Sequence, residues 1–187
     1  MEEPRWTSAK LLYSVTMSAD GFIAGPGGDM SWLTEFLGPN PVVDELITDI
    51  GALLLGNRTF RGDDPHKGTD HEGEPFGGGW DGPQFVVTHH PPSDPVPGVT
   101  SLDDLARGVT AAASAAGEKY VNVLGADIAR QCLEAGLLDE ILVFIVPVLL
   151  GDGVRLFESP GGTNIRLVRR RTTTVPNATM IWLDVVR

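Results

Sequence analysis

The chain has 187 residues, 42% hydrophobic and 21% charged, the make-up of an ordinary globular protein with one sizeable core. Its formal charge of -11 argues against nucleic acid or an anionic membrane as a partner, because a broadly acidic surface repels phosphates. The lone Cys132 excludes an intrachain disulfide, the opening MEEPRWTSAK lacks the apolar core of a secretory signal, and the longest apolar run, ILVFIVPVLL, is interrupted by Pro147 and is about half of the ~20 residues a membrane helix needs. Together these features predict a cytoplasmic protein built as a single domain over 1–187, with a small molecule as its partner.

KLLYSVTMS at 10–18 is rich in apolar and β-branched residues and runs into Asp20-Gly21, a first strand followed by a turn. GFIAGPGGDMSW then reads as a mobile glycine-rich loop. After Pro41, the residues Val42, Leu46, Ile47 and Ile50 recur at helical spacing, Gly51 closes the helix, and ALLLG is the next strand. Residues 61–83 are glycine-rich without apolar periodicity and predict a long surface excursion, after which QFVVT is a strand. Ser101-Leu102-Asp103-Asp104 has the Ser-x-x-acid spacing of a helix start, and the alanine-rich run behind it lasts to Gly117. KYVNVLG is a strand, 126–135 a helix with Ile128 and Cys132 on one face, and DEILVFIVPV a further buried strand. IRLVRRRTTT and ATMIWLDVV, joined at Val175-Pro176-Asn177, close the chain as a hairpin. The sum is an α/β three-layer sandwich, a mostly parallel central sheet with helices on both sides and a C-terminal antiparallel hairpin.

In such sheets ligands bind beyond the carboxyl ends of the strands, which directs attention to three turns. In LLLGNRTF, a strand buried on both faces ends in Gly56-Asn57-Arg58-Thr59. That tetrapeptide reads either as an anion site, with free N–H groups and the guanidinium of Arg58, or as a capped turn with a solvated arginine. Leu124-Gly125-Ala126-Asp127-Ile128 repeats the strand, glycine, helix arrangement; its small residues suit either a phosphate or close packing of helix on sheet. Asp20-Gly21 taken alone is a plain turn. His66, Asp70, His71 and Glu72 carry metal-ligating atoms but lie in a glycine-rich loop without rigid spacing, and His89-His90 precede two prolines, so no metal site is expected. Cys132 reads as a buried small hydrophobe. The signatures of Rossmann dehydrogenases, P-loop NTPases and α/β-hydrolases are absent.

Taken in order, SVTMSADGFIAG, MSWL, LLLGNRTF, FVVTHHPP and VLGADIARQCLEAGLLDEILVFIVPVLLGDGVRLF resemble the dihydrofolate reductase-like superfamily, in the branch of the reductase domain of bacterial riboflavin biosynthesis. The resemblance runs from about Lys10 to the end of the chain. It implies an NAD(P)H-dependent oxidoreductase similar to 5-amino-6-(5-phosphoribosylamino)uracil reductase, passing hydride to a small carbonyl, imine or pterin-like acceptor. By position, Thr16, Ile23 and Ala24 would flank the nicotinamide, Asn57, Arg58 and Thr59 behind Gly56 would meet the adenosine phosphates, and Thr88 would lie near the adenine. Gly125, Ala126, Asp127 and Ile128 would cradle the pyrophosphate, Asp20 would hold the ribose part of the substrate, and Trp32 matches the tryptophan of the mobile loop. In the same view Gly56 lets the chain turn outward, and DEILVFIVPVLL with the closing hairpin carries a homodimer contact. The chain departs from the family at three points. Asn57 stands where an arginine usually pairs the 2′-phosphate of NADPH, which leaves NADH open as the cofactor. Leu124 stands where a first glycine is usual, and no acid falls in register with the carboxylate that folate reductases use, so no catalytic residue is assigned. A nucleotide-binding or regulatory protein of the same fold, without catalysis, is the alternative.

Overall fold

Residues 8–187 are described by the structure, a computed structural model; the first seven, part of the stretch that reads as lacking a secretory signal, lie outside the described residues. In chain order the elements are β1 (Leu11–Ser18), β2 (Phe22–Ala24), α1 (Pro41–Asp49), β3 (Ile50–Gly56), α2 (Asn57–Phe60), β4 (Gln84–Val87), β5 (Val99–Leu102), α3 (Leu105–Ala116), β6 (Tyr120–Leu124), α4 (Ala126–Glu134), β7 (Glu140–Val146), β8 (Val154–Arg155), β9 (Leu167–Val175) and β10 (Ala178–Val185). One eight-stranded sheet has the order β5-β4-β3-β6-β1-β7-β10-β9. Its first six strands are mutually parallel, and β10 and β9 are antiparallel, the hairpin expected from the sequence.

Strand residues alternate between two faces, so each central strand supplies two cores. Leu12, Leu53, Leu55, Val86, Leu142, Phe144 and Met180 pack with Val42 and Leu46 of α1. On the opposite face Tyr13, Leu54, Val121, Val123, Ile141 and Val143 pack with Ala112, Ala113 and Ala116 of α3 and with Ile128, Ala129 and Cys132 of α4. The three consecutive leucines 53–55 are buried because β3 faces a helical layer on both sides.

Four local readings change in the structure. Gly51 does not close α1; it lies inside β3, where a Cβ would come within 2.6 Å of the Ala116 Cα, so the end of α3 can cross the strand only over a glycine. The glycine-rich loop begins with a buried strand, β2, which pairs with β8 in a separate two-stranded ribbon. Ser101 does not start a helix, because 99–102 are held as β5 beside β4, and the cap falls on Asp104, whose carboxylate accepts from Arg107 N at 2.9 Å. The excursion at 61–83 is fastened to the α1-side core by Phe76 and Trp80, the indole N–H of Trp80 donating to Ile50 O at 3.1 Å.

At the amino ends of the parallel strands, Glu140 is 1% exposed and gathers donors from four other places in the chain. Lys10 Nζ, Tyr120 OH, both Arg170 Nη atoms and Trp182 Nε1 donate to its two oxygens at 2.8–2.9 Å. The register of the hairpin explains how Arg170 gets there. Trp182 pairs with Arg171 and Leu183 with Arg169, so Arg170 is the extra residue of a bulge. The bulge lets Arg170 bind Glu140 and Asp184, while Arg170 and Arg171 lie 5.9 and 5.2 Å from the Trp182 ring.

Burial alone would raise the Glu140 pKa, but the hydrogen bonds from Lys10, Arg170, Trp182 and Tyr120 outweigh it and hold the carboxyl below its ordinary 4.5. The network therefore stabilises the fold above that pH, and its contribution is lost as pH falls below it. Glu140→Gln is expected to cost about 3 kcal/mol at neutral pH, the low end for a broken buried pair because Lys10 and Arg170 can still reach water. Urea unfolding at pH 7 and at successively lower pH checks this; the gap between variant and parent should narrow with acid.

Candidate active site

The sheet divides at its centre. Strand β1 pairs with β6 only from Leu11–Val121 to Tyr13–Val123, whereas it stays with β7 to Ser18–Val146, and β6 stays with β3 to Leu55–Leu124. Beyond Tyr13 and Val123, β1 leaves with one neighbour and β6 with the other, and a fork opens between their carboxyl ends. Thr16 lies on the β1 side of it and Leu124-Gly125 on the β6 side. Such a division is where parallel α/β sheets take ligands. Just below the fork, Ser14 Oγ donates to Asn122 Oδ1 at 2.7 Å, and the fully buried Asn122 keeps an amide N–H without a partner.

The two expected phosphate turns meet beside this fork. Gly125 has φ 95°, a conformation that disfavours any side chain, and a Cβ there would stand 2.2 Å from Thr59 Oγ1. Gly56 is extended at φ -91°, so it is not there to turn the chain. Its missing side chain makes room for Ile128, whose Cγ1 would lie 2.9 Å from a Cβ. Gly56-Asn57-Arg58-Thr59 and Gly125-Ala126-Asp127-Ile128 are thus in mutual contact through glycines. Leu124 is the last residue of β6, and the glycine falls where the conformation needs it. Asp127 is engaged with Arg130 at 2.8 Å and Gln131 at 2.9 Å.

Further along the same edge, Thr88, His89, Pro91, Ser101, Leu102, Asp103 and Arg107 line a cleft of about 450 Å³ at the ends of β4 and β5. Thr88 is buried; its N–H donates to Leu102 O at 2.7 Å and its Oγ1 accepts from His90 N at 2.9 Å, which fixes the turn after β4. Arg107 lines the cleft and pairs with Asp103 at 2.8 Å, Arg61 reaches its His89–Pro91 wall by donating to His90 O at 3.0 Å, and Arg58 is exposed one turn earlier in α2. The cleft with its cations suits an adenosine moiety and its phosphates, so the donor set fits a dinucleotide laid from here to the fork.

On the other side of β1, Asp20 is bound to the main chain. Ser18 Oγ donates to its Oδ1 at 2.6 Å, Leu150 N to Oδ1 at 3.1 Å and Gly151 N to Oδ2 at 2.7 Å. The Ser18 hydroxyl, followed by these amides, draws the carboxyl from 3.8 down to about 2. Ile23 and Ala24 are nearly closed off, at 9% and 8% exposure. Trp32 sits in a 3-10 turn at Ser31–Phe36, and its indole N–H is shielded from solvent without a hydrogen-bond partner. The loop carrying it is tied to the excursion, Met30 N donating to Asp63 at 3.0 Å and Thr34 Oγ1 to Pro65 O at 3.2 Å.

Other candidate groups are placed elsewhere. Among the described residues no cluster of three metal-ligating side chains occurs; Asp64 and Glu72 cap backbone amides, and His71 faces Glu74 at 3.1 Å. Burial pushes the Cys132 thiol up to about 12, so it is inert. Glu140 is the one buried carboxylate among the described residues, and it lies at the far end of the sheet from the fork. No described helix is long and apolar enough to cross a membrane. Arg61 was not legible as a site feature, since its second anchor, His90 O, lies far along the chain, and the unpaired state of the Trp32 N–H follows only from the packing of its loop.

Residues 9–181 match the family model described as the RibD C-terminal domain. YwjB of Bacillus subtilis (strain 168), itself uncharacterized, is 28% identical over 163 residues, covering 84% of this chain and 88% of that protein. Among solved structures, a riboflavin-biosynthesis candidate from Shewanella sp. PV-4 superposes with TM-score 0.72 at 22% identity, covering 95% of this chain and 99% of the other. Dihydrofolate reductase from Enterococcus faecalis, complexed with NADP(H) and RAB-propyl, superposes with TM-score 0.63 at 16% identity over 96% and 98%. The fold is therefore the dihydrofolate reductase-like three-layer arrangement.

Two measurements test the site's construction. Gly125→Ala should destabilise the protein both by its backbone conformation, φ 95° and ψ 137°, at about 1–3 kcal/mol, and by the collision with Thr59. Adding Thr59→Ala should restore only the second part, which a double-mutant cycle read by urea unfolding would show as a favourable coupling. The Asp20 carboxyl resonance should titrate near 2 rather than 3.8. Its contribution to stability is full above 3.8 and is lost as pH falls through about 2, so Asp20→Asn should melt lower than the parent at pH 7 and approach it in acid.

Proposed function

Because the chain belongs to the RibD C-terminal domain family, a family of reductase-like domains, we propose that it is a nicotinamide-dependent oxidoreductase that reduces a small carbonyl, imine or pterin-like acceptor. The observation that carries the reading is the contact of the two glycine turns, Gly125 against Thr59 and Gly56 against Ile128, beside the fork between β1 and β6. In this reading the adenosine end lies in the cleft beside Thr88, its phosphates meet Asn57, Arg58 and Thr59, and the pyrophosphate rests on Gly125 to Ile128. Thr16, Ile23 and Ala24 border the nicotinamide.

A bound NADPH or NADH supplies the hydride; the chain supplies position and exclusion of water. Ile23 and Ala24, already closed to solvent, form an apolar wall beside that end. Asp20 holds the turn after β1 to the loop after β7, and with Trp32 bounds the acceptor side. The unpaired indole N–H of Trp32 is shielded as the loop stands and would serve a ligand carbonyl or ring nitrogen once that loop opens. Among the described residues no carboxyl is placed to protonate the acceptor: Glu140 is remote, Asp20 is held ionised by Ser18 and the amides of 150 and 151, and Glu35, Asp44 and Asp49 are exposed. In this reading water is the proton source, and the carboxylate that folate reductases use has no counterpart among the described residues.

The missing acid also favours a second reading, a nucleotide-binding protein without catalysis. Titrating the full chain with NADPH and NADH, then following cofactor oxidation across a panel that includes 5-amino-6-(5-phosphoribosylamino)uracil-type, carbonyl and imine acceptors, separates the two. Saturable binding with acceptor-dependent oxidation is the expected result. Binding without oxidation by any acceptor selects the second reading, and absence of binding by either cofactor removes both.

A further inference from the structure

The residue after Gly56 is the amide Asn57, and its side chain is already in use. Asn57 Oδ1 accepts from Arg61 Nε at 3.0 Å, and Arg61 Nη2 donates to His90 O at 3.0 Å. Arg61 is four residues on, at the carboxyl end of α2, and helical side chains four apart lie one above the other. Its guanidinium is thereby carried back over the first residue of the helix and across to the strand-end turn at 88–90. That turn is itself fixed by Thr88, and it forms one wall of the cleft through His89 and Pro91.

Both acceptors that hold Arg61 are neutral. Arg107 on the same cleft is paired with Asp103, and Arg130 near the other glycine turn is paired with Asp127 and Glu134. Arg61 has no carboxylate partner among the described residues, so two neutral contacts fix its direction and leave its charge uncompensated. A guanidinium oriented in that way, with Nη1 still unengaged, is built to receive an anion, and planar bidentate recognition suits phosphate. Asp103 on the same wall tends to repel an anion placed near Arg107, which puts the favourable position at the Arg61 side of the cleft.

Resting on the reading that this cleft takes the adenosine end of a nicotinamide dinucleotide, we infer that Arg61 is the group that distinguishes a 2′-phosphorylated adenosine from a plain one. Asn57 is its positioning residue. The arginine absent from position 57 is replaced from one helical turn away, and the chain prefers NADPH to NADH. Arg58, exposed and without a hydrogen-bond or ion-pair partner among the described residues, contributes equally to both cofactors through the phosphates they share.

Calorimetric titration with 2′,5′-ADP and with ADP, alongside NADPH and NADH, tests this on the full chain. The parent should bind each 2′-phosphorylated ligand more tightly. Arg61→Ala should lose roughly tenfold to hundredfold for 2′,5′-ADP and NADPH, the worth of one charge-assisted contact, while ADP and NADH change by less than about threefold. Arg61 is exposed, and an unchanged melting temperature would show that the fold is intact. Asn57→Ala should lose part of the preference. Asn57→Asp keeps the acceptor and the position of Arg61 but neutralises its charge, and should lose more, a result that a purely structural role for Asn57 would not produce. The inference is overturned if Arg61→Ala weakens both ligand classes equally, or if Arg58→Ala alone abolishes the preference. If the parent binds none of the four ligands, the cofactor reading itself fails; if it binds all four without preference, that reading stands and this assignment falls.

Discussion

One buried carboxylate holds the two halves of this sheet together. Glu140 begins β7 next to the centre, and its partners come from the residue before β1, the first residue of β6, and both strands of the closing hairpin. Four donor side chains converging on two oxygens tie the amino ends of strands that the chain order has scattered. Such a cluster is costly to assemble unless every member is satisfied, and here the charges of Lys10 and Arg170 balance those of Glu140 and Asp184. With that end clamped, the carboxyl ends are free to separate, and β1 and β6 part after three paired residues. A sheet closed at one end and open at the other is the condition for everything the site does.

The open end is then finished by small residues rather than by large ones. Gly125 yields to Thr59 and Gly56 to Ile128, and at the amino end of β3 Gly51 yields in the same way to the end of α3. At only one of the three is the backbone conformation itself demanding. At the other two the glycine is needed because a neighbouring element comes too close for any side chain, a requirement of packing and not of turning.

That difference explains what could and could not be read from the amino-acid sequence. Apolar runs bounded by glycine marked β1, β3, β6 and β7, because a strand buried on both faces has no polar alternative; the match of motif order marked the family. The glycines themselves were legible as punctuation but not as contacts: Gly51 reads as a helix stop, yet its reason is Ala116, far along the chain. Ser101 has the right spacing for a cap and loses to pairing with β4, a tertiary effect. Phe22 to Ala24 hide as a strand within a glycine-rich stretch because their partner, β8, is more than a hundred residues later. Asp20 reads as a turn residue or a ligand group, and neither reading foresees that its two oxygens would be claimed by amides at 150 and 151.

The excursion at 61–83 is rooted in the core by Phe76 and Trp80, and at its front it holds the loop of Trp32 through Asp63 and Pro65. The loop of Trp32 is therefore held by a segment that contributes no strand to the sheet. A change in its length or charge alters no strand register, whereas a side chain at Gly56 would meet Ile128 and one at Gly125 would meet Thr59.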